Sequence, residues 1–154
     1  MLFLTACYRY SFTDVEYSET EFANENGWEI VSLIVYCSVY DEELGEDVTG
    51  AKYHYNNVGH LKFNIDGTGV YSYDEIQYNF EWSISSTRIN ISFDIDEVTD
   101  YTAPFVYYSL FGSDFNDPYL SESSSANTHN LSRLTENSFL CSKSNAEFII
   151  NKVL

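Results

Sequence analysis

The chain is expected to be all-β: an antiparallel up-and-down meander of about eight strands, closed into a barrel. Three observations predict this. The composition favours pleated, half-buried surfaces, with 14 Tyr and 11 Phe against only two Pro and one Met. Apolar and polar residues alternate with period two in several separate segments. Tight-turn residues separate most of those segments. A length of 154 residues with a 44% hydrophobic fraction fits one domain with its own core.

The elements follow in order. Order is expected to begin near Gly27, and Trp28 to Tyr36 read as a long first strand. An acidic loop, residues 41–47, follows, and then a short, weak strand over residues 51–56. Leu61-Lys62-Phe63-Asn64 alternates cleanly into Asp66-Gly67-Thr68, where Gly67 can supply the positive φ of a hairpin turn, and the return strand is Val70 to Tyr73. Phe80, Trp82 and Ile84 alternate with Asn79, Glu81 and Ser83. Beyond a Ser-Ser-Thr turn, Ile89, Ile91 and Phe93 alternate with Arg88, Asn90 and Ser92. Phe105 to Phe111 is a further strand candidate, and residues 112–130 read as a long polar loop. Leu131 to Leu134, Phe139 to Ser142 and Glu147 to Lys152 complete the meander. An open meander leaves two free edges, and closure removes both.

Ahead of the domain, Leu4-Thr5-Ala6-Cys7 matches the lipobox of bacterial lipoproteins, which makes Cys7 the candidate lipid-attachment residue. A working signal needs a charged start and about 7–15 apolar residues before the box. Only Met1 to Leu4 precede it, so export requires a start further upstream. The expected organisation is a signal-like segment over 1–7, an acidic flexible tether over 8–26 and the barrel over 27–154. A disordered tether of that length spans on the order of 25 Å.

Charge narrows the partners. With 24 Asp and Glu against seven Lys and Arg, the net charge is −17. Nucleic acid is excluded as a direct partner, because its phosphates require cations, and so are anionic headgroups. Membrane contact is then expected only through the lipid. Solvation explains most acidic surfaces, and a cationic partner is the sharper alternative. Cys7, Cys37 and Cys141 make no metal pattern. Cys37 and Cys141 are either small buried hydrophobes or a disulfide pair, and the strand phases put them on different faces.

Taken in order, four segments resemble the lipocalin-like domains of small Gram-negative bacterial lipoproteins. They are Gly27-Trp28-Glu29-Ile30-Val31-Ser32, the Leu61 to Thr68 hairpin, Phe80-Glu81-Trp82-Ser83-Ile84, and Leu131 to Phe139. The resemblance spans Gly27 to Leu154, and the lipobox-like start is similar as well. It implies a lipocalin-like barrel on an outer-membrane, cell-surface or periplasmic protein. Residues 112–130 form a longer loop than the family carries, so no shared ligand is implied.

No catalytic motif is present: neither a nucleophile elbow, a phosphate loop nor a paired-His metal motif occurs. A non-enzyme without cofactor or metal is therefore expected. His54 and His60 flank an expected turn, and the carboxylates of 41–47 and 94–97 read as solvated loops rather than ligands. What remains is the inner face. Trp28, Phe63, Tyr71, Phe80, Trp82, Phe93 and Phe139 are the candidate ligand-binding residues of the interior. An eight-stranded barrel is just wide enough to be filled by side chains or to hold one small ligand. Two readings stay open. One is an exported, monomeric protein that binds a small apolar or amphipathic ligand in the barrel. The other is a structural or protein-interaction lipoprotein with a filled core, meeting its partner through loops 41–47 and 112–130.

Overall fold

The computed structural model describes residues 17–112, 127–143 and 146–154. It is a closed antiparallel barrel of eight strands in sequence order. The strands are β1 (Trp28–Asp41), β2 (Glu46–Phe63), β3 (Thr68–Tyr73), β4 (Ile76–Ser85), β5 (Arg88–Phe93), β6 (Thr128–Thr135), β7 (Ser138–Lys143) and β8 (Ala146–Lys152). Closure comes from β1 pairing β8, with Trp28 opposite Lys152 and Val35 opposite Ala146. Among the described residues two helices accompany the barrel, α1 (Glu19–Phe22) and α2 (Pro104–Phe111).

Three expectations are corrected. The acidic loop and the weak strand at 51–56 belong to one long hairpin, in which β1 pairs β2 from Trp28–Leu61 out to Asp41–Glu46. Only Glu42–Gly45 turn. The Asp41 carboxylate accepts from the backbone N–H of Glu43 and Leu44 at 2.9 and 3.0 Å, which pins the turn. The polar stretch before Leu61 continues as strand because its backbone irregularities are absorbed locally. Asn57 and Gly59 take positive φ, of 55° and 143°. At Gly59 the ring of Tyr71 occupies the space a Cβ would need, and the Tyr71 hydroxyl donates to the Val58 carbonyl. His54 and His60 therefore lie on one strand and do not flank a turn.

The second correction is α2, expected as a strand. Its aromatic run lacks alternation, and apolar runs of this length are ambiguous between buried helix and buried strand. Pro104 opens the helix, where a fixed φ and a missing N–H are tolerated. Gly112 closes it at φ 76°, donating its N–H to the Tyr108 carbonyl at 2.7 Å.

The third concerns the tether. Its residues 18–26 fold onto the barrel. Ser18 caps α1 by accepting from the Thr20 N–H, and Glu21 follows three residues after the cap. Phe22 is 0% exposed. It stacks on Trp28 at 5.2 Å and meets Phe63, Trp82 and Phe139 within 6.5 Å. The Trp28 indole donates to the Phe22 carbonyl at 2.9 Å. Lys62 donates to the Asn24 carbonyl, and Arg133 pairs with Glu21 at 2.8 Å. Burial of one large aromatic side chain and these polar contacts act against the entropy cost of ordering the segment.

The helices close opposite ends. α1 sits where β1 begins. At the other end, Phe105 of α2 stacks on Tyr71 at 5.7 Å and meets Phe148 edge-on at 5.0 Å. The β5–β6 seam is the narrowest, with register only from Arg88–Asn130 to Asn90–Thr128. Asn127 bridges it, its amide nitrogen donating to Ser109 O at 2.7 Å and Ile91 O at 3.2 Å.

Candidate functional site

The seven interior candidates lie together, as their alternation requires. Trp28, Phe63, Tyr71 and Phe139 are fully buried, and Phe80, Trp82 and Phe93 nearly so. Phe63 meets Trp82 at 4.9 Å and Phe80 at 5.4 Å, Phe80 meets Phe93 at 5.7 Å, and Phe93 meets Tyr71 at 5.8 Å. Trp28 meets Phe139 at 5.7 Å. With Phe22 at one end and Phe105 and Phe148 at the other, aromatic contacts run continuously through the lumen. The polar handles are used internally: the Trp82 indole donates to the Asn64 carbonyl at 2.8 Å, as Trp28 does to Phe22 and Tyr71 to Val58. Burial pushes the Tyr71 phenol well above its ordinary range, so it stays protonated.

Sequence reasoning missed a polar pair under α2. Tyr108 O and His129 Nε2 are 2.9 Å apart, and both residues are buried. The His129 ring stands edge-on to Phe148 at 4.9 Å. Its Nδ1 has no partner in bonding geometry among the described residues. Burial, reinforced by the nearby Lys143 cation and only partly offset by a backbone group of Asn127, lowers the His129 pKa to about 3. Lys143 is itself lowered to about 8 by desolvation, and its Nζ lies 5.9 Å from the Tyr108 ring centroid. The inward phase of Thr128-His129-Asn130-Leu131 was legible. The helix that supplies Tyr108 was not, so the pair could not be seen.

Cys141 is a free, buried thiol, so the disulfide considered with Cys37 is not made. Burial pushes its thiol far up, which keeps it unreactive. Among the described residues no group of three or more His, Cys, Asp or Glu is arranged to hold a metal. No described helix is long and apolar enough to cross a membrane. Cys7 lies outside the described residues, as does most of the 112–130 loop, namely 113–126.

Two features stand on the outside. A groove of about 670 Å³ along β3, β4 and β5 is lined by Asn64, Thr68, Asn79, Glu81, Asp94 and Glu97, with Phe80 and Phe93 of the interior candidates also on its wall. The other is an arm. β8 leaves β1 at Val35, so among the described residues the backbone of Tyr36–Asp41 pairs only with β2, while the Tyr36 hydroxyl still donates to the Glu147 carboxylate of β8 at 3.2 Å. The hairpin continues beyond the β1–β8 seam. Six residues a strand make it about 20 Å long. Its register shifts between Val35 and Tyr36, at its base, where a bulge can redirect it. Its tip carries Asp41, Glu42, Glu43, Glu46 and Asp47. Among these stand Tyr40, 61% exposed, and Leu44, 63% exposed. Comparisons with protein-family models, with characterised sequences and with solved structures found no match.

Proposed function

We propose that this chain is a non-catalytic protein-interaction module that works from its outside, presenting the β1–β2 arm to a cationic partner. The observation that carries this reading is the filled lumen. Its candidate binding residues pack on one another and spend their polar groups internally, and a helix covers each end. That leaves little for a small ligand to occupy or to pair with. The arm has what the lumen lacks: exposed apolar anchors ringed by carboxylates at the tip of a hairpin whose turn is pinned.

The same reading takes up the lipocalin-like resemblance and the candidate anchor at Cys7. The described residues begin at the α1 end, and the arm leaves from the opposite end. β1 alone measures about 45 Å. A lipid on Cys7 would therefore leave the arm on the side facing away from the membrane, on an exported protein.

Site-specific photo-crosslinking in the producing cell tests this. A benzophenone side chain at Tyr40 or Leu44 is expected to give one discrete adduct, whereas the same group at Ile65 or Leu134, also exposed, gives none. Equal adducts from all four positions, or none from the arm, would overturn the assignment.

A further inference from the structure

We propose that the outer edge of β2 along Glu46–Gly50 receives an extended, lysine- or arginine-rich segment of a partner protein as an added β-strand. This rests on the surface-acting reading above and names how the arm would hold its partner. On one side these residues pair with β1, from Asp41–Glu46 to Cys37–Gly50. On the other, β3 pairs with β2 only from His60 to Phe63, and among the described residues no strand meets the edge of 46–50. Such an edge presents backbone donors and acceptors in a ladder-ready row. Proteins block these rows with charged side chains, proline or a covering element; Glu46-Asp47-Val48-Thr49-Gly50 has no lysine or proline, and its two carboxylates oppose a like-charged strand but not a cationic one.

Charge selects the occupant. Glu46 and Asp47 are exposed and adjacent, so they stand on opposite faces of the ribbon. An added strand thus meets a carboxylate on either face, with Asp41, Glu42 and Glu43 close by at the tip. Cross-strand pairs of opposite charge stabilise such an addition, and like pairs oppose it. A second copy of this chain would bring the same five carboxylates against the first, within a net charge of −17. A cationic strand faces no such barrier.

The test uses the full chain and a synthetic peptide of alternating lysine and valine, with binding read by fluorescence anisotropy and amide exchange read by NMR. Expected are saturable binding and slowed exchange at 46–50. Methylating alternate peptide nitrogens, which keeps the charge and removes the ladder bonds, is expected to weaken binding by about tenfold or more. Glu46→Lys with Asp47→Lys is expected to do the same. Equal binding of the methylated peptide would overturn strand addition while leaving a charge-reading arm intact. Failure of the unmethylated peptide to bind, or concentration-dependent dimers with slowed exchange in its absence, would also overturn it. Stoichiometric uptake of a neutral dye into the barrel would instead strike the surface-acting reading itself.

Discussion

Trp82 and Phe22 belong to one packed cluster but reach it by different routes: Trp82 from a strand phase visible in the sequence, Phe22 from a helix turn that was not. Truncating either to Ala should cost about 3–5 kcal/mol in urea unfolding, because each leaves a cavity among rings that cannot collapse onto it. A loss under about 1 kcal/mol for Trp82→Ala would show that the inner face is misassigned. Gly59→Ala should cost about 1–3 kcal/mol, since the new Cβ meets the Tyr71 ring at a positive φ. His129 predicts a pH dependence. Its folded pKa of about 3 lies below the ordinary 6.5, so the unfolded chain takes up the proton first as pH falls. Stability contributed by the neutral imidazole is complete above about 6.5 and is lost towards 3, at up to about 1.4 kcal/mol per pH unit. Between pH 6.5 and 5, before most carboxylates titrate, unfolding should show this slope, and His129→Gln should flatten it. An unchanged slope in the variant would place the imidazole in water.

At the scale of elements, what alternates was legible and what does not was not. β4 and β5 carry apolar and polar residues in strict turn, and the structure buries Phe80, Trp82, Ile89, Ile91 and Phe93 from them; β3 and β7 alternate only loosely, with Val70 and Leu140 on the other phase. The long hairpin was hidden because its outer half has no barrel core to face, so it shows no such pattern. α2 was hidden because every position is apolar or aromatic apart from Ser109. The Pro104 and Gly112 bracket was the signal that could have separated helix from strand. α1 was legible only as the Ser18–Glu21 capping pattern, easily lost in an acidic stretch. The Arg133–Glu21 pair holds α1 in place at a partly exposed position, and Arg133 also lies 4.5 Å from the Phe139 ring centroid. Screening limits the ion pair to about 0–1 kcal/mol. Glu21→Gln should therefore shift the melting transition little, whereas Phe22→Ala shifts it strongly. Equal effects would mean that charge, rather than burial, seats the helix.

For the whole molecule, barrel closure and acidity divide the labour between inside and outside. Closure pairs every strand with two neighbours, although β3 covers β2 only from His60 to Phe63 and leaves the arm's outer edge without a partner among the described residues. The sequence named the interior residues correctly but could not say whether they enclose a hole. That depends on two helices whose residues follow no strand phase, and on aromatic contacts that only the folded geometry reveals. The most direct test of a filled interior is a titration with the neutral, apolar dye Nile red, followed by its emission and by tryptophan fluorescence. A filled core predicts no saturable blue-shifted emission and no change at Trp28 or Trp82 until the protein unfolds. Saturable uptake at one dye per chain, with quenching of the tryptophans, would contradict it and return the lumen to the role of a binding site.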